Sequence, residues 1–422
     1  MFMLSPTGMR KTPSIYPEIE PQGGVRRADF AAVLPAQISE IIRFEPFLGI
    51  PNCAKRAKYI RHFVSPRFDR LAIRVAPARF TMNAIQALAI AAATLPNDEP
   101  LVAQEVFGMI YISEEESAAL VTHELAFEAV RRALVAAASK ESLVFPAVLG
   151  RAREATNTFS IKSGSSNDLT GVKIGSFWSR NPARGLPRHN STIVLLDQDT
   201  GRLGAVVEAG KVNAYRTAAA DAVAADLLAR RQAKVLAIFG AGNQAGFEVT
   251  ALARIRPIET VLVVASPSPR RDAFVDRIGD HGLTARAVPA EEAVRAADIV
   301  VTATPSRQPL FDATWVKPGT HIVSMGSDAP GKRELASELL SRASLFCDLP
   351  SQSIQIGEFQ HVRESIEAGT LIVTPIGDVI EGRGPGRRSD EEITVFDSSG
   401  ISLQDLYMAE ALIRAKSVPP LI

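Results

Sequence analysis

The chain has 422 residues, of which 46% are hydrophobic, so it is long enough for two buried cores and exceeds one average domain. Its 47 lysines and arginines balance 46 acidic residues, which argues against a basic field that would hold nucleic acid or an anionic membrane nonspecifically. We therefore expect a small-molecule substrate. The two cysteines, Cys53 and Cys347, are far apart and lack metal-ligand spacing, which favours a reduced, cytoplasmic protein without a metal site.

Residues 1–107 have little sustained periodicity and are interrupted by several prolines, so we predict no fold for this N-terminal extension. The apolar run at 84–95 ends at Pro96 and is too short to span a bilayer, so we expect a short helix there. Order begins abruptly at Met109, which suggests that the native protein starts there. An authentic appended segment is the alternative.

The next stretch, residues 108–230, predicts a sheet-rich α+β domain. After Met109 a short apolar strand leads into a helix, with Ser113 and Glu116 spaced as a capping box. Three strand-like segments follow, "FSIKSG", "TGVKIGSFW" and "STIVLLD", which are joined by Gly, Pro and Asn turns. An alanine-rich helix from about Asn213 to Arg230 then leads into the second domain.

Residues 231–355 predict a Rossmann domain. The segment "AKVLAIFGAGNQAGFEV" is typical of an apolar strand, a glycine-rich turn and a helix in immediate succession. Further strands at "TVLVVAS", "DIVVTAT" and "THIVSMGS" alternate with helical stretches, as in a doubly wound parallel sheet. The expected fold class is therefore α/β, with the Rossmann sheet joined to the sheet-rich α+β domain.

The glycine-rich turn is a candidate dinucleotide site. Gly240, Gly242 and Ala245 form the pattern G-x-G-x-x-A, which lets the backbone approach a pyrophosphate at the start of a helix. Asn243 and Gln244 complete the turn. We therefore expect a bound nicotinamide dinucleotide. An incidental turn between a strand and a helix is the alternative.

The residues after the second Rossmann strand bear on the choice between NAD(H) and NADP(H). In an NAD site this strand usually ends in an acidic residue that binds the ribose hydroxyl. Here the acid is absent, and Ser266, Arg270 and Arg271 are candidates for holding a 2′-phosphate, which slightly favours NADP(H). Arginines that only solvate a loop are the alternative. Thr302 and Thr304, which end a later strand, are candidates for contact with the nicotinamide ribose.

Two cations lie in segments that otherwise suit a buried core. Lys173 interrupts the apolar strand "GVKIGSFW", and Arg216 begins a helix of small residues. A buried cation needs a partner, and a substrate carboxylate is one that arginine binds with two hydrogen bonds. Snorkelling to solvent or an internal salt bridge is the alternative.

Seven segments in this order resemble the successive motifs of the ornithine cyclodeaminase/mu-crystallin family. They are "GVKIGSFW", "GLPRHNSTIVLLDQDTG", "RTAAADAVAADLLAR", "FGAGNQA", "ADIVVTATPS", "MGSDAPGKREL" and "EITVFDSSGISLQDL". The resemblance covers residues 109 to about 415. It implies a homodimer, with a substrate-binding and dimerisation domain at 108–230, a Rossmann domain at 231–355 and a C-terminal segment, 356–422, that returns to the first domain.

The resemblance also implies roles for individual residues. Lys173 corresponds to the family's active-site lysine, Arg216 to its carboxylate-binding arginine and Asp328 to its catalytic aspartate. Arg151 is the candidate for a further family arginine, with Arg153 close by. Asp328 directly follows a Rossmann strand, so it should lie where open α/β sheets bind ligands and can exchange a proton with a substrate nitrogen. A helix cap is the alternative.

The family includes imine reductases, ornithine lyases, alanine dehydrogenases and mu-crystallins. The segments "GSFWSRNPARGLPRHNSTIVLLD" and "FCDLPSQSIQIGEFQH" look most like the imine reductases. We therefore predict NAD(P)H-dependent reduction of a cyclic or open α-imino acid, of the Δ1-pyrroline-2-carboxylate type, to an L-amino acid such as proline. Cyclisation of ornithine to proline and ammonia with a retained NAD is one alternative, and a non-catalytic binding role like that of some mu-crystallins is another. His189 and His361 lack metal-ligand spacing, and we give them no catalytic role.

Overall fold

The computed structural model describes residues 109–417, which form two β-sheets joined by a long helix. The expectations for residues 1–107, including the helix at 84–95 and the state of Cys53, lie outside the described residues.

The first sheet comes from the N-terminal third of the described residues. Its strands are β1 (Ile110–Ile112), β2 (Leu143–Val144), β3 (Val148–Arg151), β4 (Thr158–Ser165), β5 (Thr170–Phe177), β6 (His189–Leu196) and β7 (Leu203–Glu208). Their spatial order is β1-β7-β6-β5-β4-β2, and β3 also pairs with β4. The three strand-like segments of the sequence correspond to β4, β5 and β6. All pairs are antiparallel except β1 with β7.

Two helices, α1 (Glu114–Leu120) and α2 (His123–Ala137), follow β1. The predicted capping box is confirmed, because Ser113 Oγ accepts a hydrogen bond from the Glu116 backbone and the Glu116 carboxylate accepts one from the Ser113 backbone. Helix α2 buries Val130 and Leu134, which recur at helical spacing and so share one face.

The long helix α3 (Gly210–Leu228) connects the two sheets. It is buried on almost every side, since it packs on α2, on the next helix of the chain and on strands of both sheets. Its alanines explain this position, because small side chains let a helix approach several neighbours closely. Arg216, in the buried part of α3, is therefore held inside the protein.

The second sheet has eight parallel strands, as predicted for a doubly wound fold. They are β8 (Val235–Phe239), β9 (Thr260–Val264), β10 (Thr284–Ala287), β11 (Ile299–Thr302), β12 (His321–Ser324), β13 (Ser344–Cys347), β14 (Val373–Pro375) and β15 (Thr394–Asp397). Their order is β10-β9-β8-β11-β12-β15-β13-β14. Cys347 is a free, buried thiol in this sheet.

Eight further α-helices of the described range follow α3. They are α4 (Asn243–Ile255), α5 (Pro269–Asp280), α6 (Ala290–Ala296), α7 (Ser337–Leu340), α8 (Pro350–Ile356), α9 (Arg363–Glu367), α10 (Ile376–Ile380) and α11 (Ser402–Ser417). Across residues 109–417 no helix combines the length and the apolar character that crossing a bilayer requires.

The second sheet extends beyond the predicted boundary at residue 355. Strands β14 and β15 come from the predicted C-terminal segment, yet both pair within the second sheet. Helix α11 does return to the first sheet, where it packs on α2 and on β4, β5 and β6. The boundary was placed too early because β14 and β15 are only three and four residues long and so carry little periodicity of their own.

The two faces of the first sheet differ in what they contact. Residues that pair in register share a face, because side chains alternate along each strand. Lys162, Lys173 and Ile193 form one row of the face that packs on α3 and α11, here termed the inner face. Ile161 and Ile174 lie on the opposite, outer face.

Candidate active site

Three cations converge between the inner face and α3. Lys173 projects from β5, Lys162 pairs with it in register from β4, and Arg216 comes from α3. Lys173 and Arg216 are 6% and 8% exposed, so both charges are largely removed from water. Such a cluster is unfavourable unless anionic or polar partners offset the repulsion and the lost hydration.

Asn213 and Asp405 hold Lys173 and Arg216 together. Asn213 Oδ1 accepts hydrogen bonds from Lys173 Nζ at 2.8 Å and from Arg216 Nη2 at 3.0 Å. Asp405 Oδ1, near the start of α11, lies 3.5 Å from Lys173 Nζ and 3.3 Å from Arg216 Nε. The structure thus brings the two predicted cations together, and it also contains the internal salt bridge that was the alternative. Gln404 Oε1 accepts a further bond from Arg216 Nη1 at 3.2 Å.

The ionisation of Lys173 is shifted by this environment. Burial, together with the charges of Arg216 and Lys162, lowers the pKa of Lys173 to about 7, although Asp405 opposes the shift. An ammonium with a pKa near neutrality gains from an additional anion. A substrate carboxylate at this position would therefore bind the Lys173 ammonium. Its negative charge would also raise the pKa of Lys173 and keep the ammonium charged.

Lys162 has a different set of partners. Its Nζ donates to the carbonyl oxygens of Gly400 at 2.6 Å and Ser399 at 3.3 Å. Asp348 anchors this turn by accepting from the Gly400 backbone at 2.6 Å. Gly400 has a φ of +73°, and a Cβ there would lie 2.8 Å from Arg216 Nη1, so glycine is required between the two cations.

Asp328 lies beyond the carboxyl end of β12. Its carboxylate pairs with Lys332, four residues later, and its side chain is 53% exposed. The charge of Asp328 raises the pKa values of Lys162 and His189, although burial lowers both overall, so Asp328 is within electrostatic reach of the cluster. We therefore keep it as the candidate proton donor.

Arg151 lies apart from these residues. It ends β3 on the inner face, in the row of Thr158 rather than that of Lys162, which is roughly 13 Å away along the strand. Arg151 and Arg153 are both exposed, and the described residues provide no ion pair for either. Contact between Arg151 and a substrate would require a displacement of β3, so we do not include it in the site.

His189 and His361 contact only nearby groups. His189 lies at the edge of the inner face with its ring 4.9 Å from that of Phe177, and burial lowers its pKa. His361 Nε2 lies 2.7 Å from the carbonyl oxygen of Lys332. Neither arrangement requires a catalytic role.

The glycine-rich turn between β8 and α4 has the geometry that a pyrophosphate needs. Gly240 has a φ of +116°, and a Cβ there would lie 2.9 Å from the carbonyl oxygen of Ala303. Helix α4 starts at Asn243 without a side-chain cap, so its first N–H groups face an anion site. Ala245 is buried against the sheet. A dinucleotide therefore fits this turn.

The side chain of Gln244 does not face the expected dinucleotide site. Its amide nitrogen donates to the Ala214 carbonyl at 3.2 Å and to Glu248 Oε1 at 2.7 Å, so its side chain points to α3. Only its backbone N–H is available to a pyrophosphate. Glu248 and Asp221 are both buried beside it, and burial raises the pKa of each carboxyl, that of Glu248 to about 7.

The residues after β9 divide into two groups. Arg270 Nη2 lies 3.5 Å from the position that a Cβ on Gly242 would take, so its guanidinium faces the phosphate turn. Ser266 is exposed nearby. Arg271 instead pairs with Asp272 at 2.8 Å. Arg270 is therefore the stronger candidate for a cofactor phosphate.

Glu334 accepts hydrogen bonds from the hydroxyls of Thr302, the last residue of β11, and of Thr304, which follows it. Thr302 is fully buried and donates to Glu334 Oε2 at 2.7 Å, so its side chain cannot contact a ribose, contrary to the expectation. Thr304 also donates to Glu334 at 2.7 Å, but it is only partly buried. Thr304 remains a candidate for the ribose contact.

Sequence reasoning missed Lys162, Asn213 and Asp405. Lys162 lies in the strand segment "FSIKSG" and Asp405 in the segment "GISLQDL", and both are charged residues in otherwise apolar or small surroundings. The criterion that singled out Lys173 would have found Lys162. The partnership of Asp405 with Lys173 spans more than half of the chain, and no local pattern indicates it.

Comparison with known proteins agrees with this architecture. A model of the ornithine cyclodeaminase/mu-crystallin family matches residues 112–417. An iminosuccinate reductase of Paracoccus denitrificans (strain Pd 1222) is 38% identical over 311 residues, which are 72% of this chain and 96% of the relative. The crystal structure of the iminosuccinate reductase of this species, in complex with NAD+, has a TM-score of 0.68, with 73% of this chain and 96% of that chain covered.

Two further solved structures are similar over the same range. An archaeal alanine dehydrogenase dimer with bound NAD is 34% identical, with a TM-score of 0.67 over 74% of this chain and 97% of that chain. The Δ1-pyrroline-2-carboxylate reductase of Thermococcus litoralis, in complex with NADH and L-proline, is 27% identical, with a TM-score of 0.67 over 73% of this chain and 98% of that chain.

These matches confirm the α/β fold, a nicotinamide cofactor and the enzyme class, an oxidoreductase of imino or amino acids. The chain therefore belongs to the ornithine cyclodeaminase/mu-crystallin family, as the order of its sequence motifs predicts.

Proposed function

We propose that this protein reduces a cyclic or open α-imino acid to an L-amino acid with NAD(P)H. The observation that carries the proposal is the convergence of Lys173 and Arg216 on shared partners. Lys162, which pairs with Lys173 in register, is within electrostatic reach of Asp328 beyond the carboxyl end of β12. Cations suit the α-carboxylate, and the aspartate suits the imine nitrogen.

Each side chain has a distinct task in this reaction. Arg216 and Lys173 bind the substrate carboxylate, and Asn213 and Asp405 fix their positions. Asp328 donates the proton that the imine nitrogen gains. The bound nicotinamide supplies the hydride to the α-carbon. The charge that develops on nitrogen is thus offset next to the carbon that is reduced.

Relatives of this chain support reduction as the direction. The matched proteins include an iminosuccinate reductase and a Δ1-pyrroline-2-carboxylate reductase solved with NADH and L-proline. Ornithine cyclodeamination is disfavoured by Lys162, because its ammonium would repel the distal amine of a diamino acid. A non-catalytic binding role is disfavoured because Lys173, Arg216 and Asp328 are all present.

We also propose that NADPH is accepted and slightly preferred. The absence of an acidic residue after β9 and the position of Arg270 over the phosphate turn support this preference. Arg271 contributes less, since Asp272 already pairs with it.

The protein is proposed to act as a homodimer through the outer face of its first sheet. This face is apolar and includes exposed side chains such as Val148 and Ile174, at 57% and 42% exposure. A strong candidate for covering it is the same face of a second copy, since one matched relative is described as a dimer.

The test of the function is a substrate panel. NADH and NADPH oxidation would be followed with Δ1-pyrroline-2-carboxylate and with pyruvate plus ammonium, and the amino-acid products identified by chiral chromatography. Ornithine would be tested separately for proline and ammonia without added reductant. Imine reduction without ornithine turnover supports the proposal, whereas ornithine turnover without net NAD(P)H oxidation would reverse it.

A further inference from the structure

Glu334 is a fully buried residue whose carboxylate joins the carboxyl ends of two neighbouring strands, β11 and β12. Its Oε1 accepts hydrogen bonds from the Thr304 backbone N–H at 2.8 Å and from the Thr304 hydroxyl at 2.7 Å. Its Oε2 accepts from the Thr302 hydroxyl at 2.7 Å and from the Gly326 backbone N–H at 2.9 Å. The carboxylate therefore ties the residues that follow β11 to those that follow β12.

Only an ionised carboxylate can accept all four of these hydrogen bonds. A protonated acid would direct a hydroxyl donor at one of the four groups, and a primary amide would direct an N–H donor. The threonine hydroxyls can rotate and accept instead, but the backbone N–H groups of Thr304 and Gly326 cannot. Neutralising Glu334 therefore leaves one buried backbone donor without an acceptor, which is unfavourable.

The irregular segment 326–333, here termed the Asp328 loop, begins at the glycine that Glu334 binds. The Gly326 carbonyl oxygen accepts a hydrogen bond from Lys332 Nζ at 3.2 Å, and the same ammonium pairs with the Asp328 carboxylate. Gly326 leaves no room for a side chain, because a Cβ there would overlap the carbonyl oxygen of Thr304. Contacts thus run without interruption from Glu334 through Gly326 and Lys332 to Asp328.

The second half of the Asp328 loop is held by a different segment. Gln360 Oε1 accepts from the Gly331 backbone N–H at 2.7 Å, and His361 Nε2 donates to the Lys332 carbonyl oxygen at 2.7 Å. Neither contact involves the residues that follow β11. The placement of the loop relative to those residues therefore depends on Glu334.

We propose that Glu334 is a positioning residue that holds the proton donor Asp328 in register with the nicotinamide. The inference rests on the proposed reductase function and adds a residue to it. Thr304 is the candidate contact of the nicotinamide ribose, so a carboxylate that binds both Thr304 and Gly326 sets the distance between the cofactor and the Asp328 loop. Misplacement by about 1 Å costs on the order of 100-fold in rate.

The first test is Glu334→Gln in single-turnover oxidation of NAD(P)H with an imino acid that the wild type reduces. The rate constant should fall on the order of 100-fold. The imino-acid concentration that gives half of the maximal rate should change little, because Arg216 and Lys173 still bind the carboxylate. Thr302→Val is isosteric, removes one bond to Oε2 and should slow the reaction about 10-fold, so it keeps the test available if Glu334→Gln does not fold.

Asp298→Asn is the matched control, since Asp298 bridges two strands at the opposite end of the same sheet. It precedes β11 and accepts from the backbone N–H groups of Lys234 at 2.9 Å and Val235 at 3.1 Å. Asp298→Asn should lower stability in chemical denaturation, as Glu334→Gln does, but leave the rate constant unchanged. A wild-type rate constant in Glu334→Gln, or the same loss of rate in both variants, would overturn the inference.

Combining Glu334→Gln with Asp328→Asn shows whether Glu334 acts through Asp328. In that background Glu334→Gln should slow the reaction by less than about threefold, because the group that it positions is already gone. Losses that multiply would overturn the inference and leave the proposed function in place. An Asp328→Asn variant with the wild-type rate would refute both the proposed role of Asp328 and the inference.

Hydrogen exchange tests the same geometry without turnover, so it applies even if no imino acid is reduced and the proposed function fails. Amides in peptides covering 303–306 and 326–333 should exchange at least about 10-fold faster in Glu334→Gln than in the wild type and Asp298→Asn. Equal exchange of these peptides in the three proteins would overturn the inference.

Discussion

Lys173 sets the charge state of the substrate site. Burial lowers its pKa to about 7, and the ammonium is the form that binds a carboxylate. Below this pKa the residue is charged and competent, and above it the residue becomes neutral and the attraction is lost. Asp405 acts in the opposite direction to burial, because its carboxylate favours the charged form of Lys173.

The wild-type enzyme should therefore lose kcat/KM for its imino acid, by about tenfold per pH unit, as pH rises through about 7. Lys173→Arg should move this limb to higher pH, because a guanidinium does not titrate in this range. Asp405→Asn should move it to lower pH. Titration of the imine itself is common to all three proteins, so a limb at the same pH in each would contradict the assignment to Lys173.

At the scale of elements, the turn before α4 shows how backbone geometry prepares a cofactor site. Gly240 adopts a positive φ and approaches Ala303 too closely for any side chain. Gly246, one turn into α4, has ordinary space, because a Cβ there would meet only Phe274 at 3.8 Å. Two glycines six residues apart therefore have different reasons to be glycine.

Gly240→Ala should weaken NAD(P)H binding and destabilise the protein by about 1–3 kcal/mol, from backbone strain and contact with Ala303. Gly246→Ala is the matched control and should be neutral or stabilising by up to about 1 kcal/mol, because alanine favours a helix. Chemical denaturation and cofactor fluorescence titration measure both effects. Equal effects of the two substitutions would contradict the account of the turn.

Arg270 and Arg271, at the start of α5, offer a similar contrast. Arg270→Ala should raise the KM for NADPH about 10-fold and leave that for NADH nearly unchanged, because only NADPH carries the 2′-phosphate. Arg271→Ala should change neither, since Arg271 pairs with Asp272. An equal loss for both cofactors in Arg270→Ala would assign this side chain to the pyrophosphate instead.

The elements also indicate what can be predicted from sequence and why. The capping box at Ser113 and the glycine turn at Gly240 depend on residues close together in the chain, so both can be recognised in the sequence. The contact of Asp405 with Lys173 depends on α11 returning to the first sheet, which no periodicity encodes. The predicted ribose contact of Thr302 was wrong because its actual partner, Glu334, lies on a distant segment of the chain.

At the scale of the whole molecule, the outer face of the first sheet exposes apolar side chains such as Val148 and Ile174 among the described residues. Its strands alternate between residues that pack on α3 and α11 and residues such as Ile161 and Ile174 that point away. Association through this face would bury those side chains and stiffen the sheet that carries Lys162 and Lys173. The inner face does not require a second copy for its contacts.

Ile174→Lys should therefore shift the protein from dimer to monomer in sedimentation velocity, because it places a charge at the centre of the apolar face. Ile372→Lys is the control, since Ile372 is 80% exposed and lies outside the first sheet. A wild-type protein that sediments as a monomer would show that this interface does not exist. A dimer that persists in Ile174→Lys would place the interface elsewhere.

The central claim is that hydride passes from the nicotinamide to the α-carbon of an imino acid in net reduction. NADH and NADPH that carry deuterium at both C4 positions would be incubated with the protein and the imino-acid panel, and the products analysed by mass spectrometry. The account predicts one deuterium on the α-carbon of the L-amino acid, with one cofactor oxidised for each product formed. Proline formed from ornithine without deuterium and without cofactor consumption would contradict it.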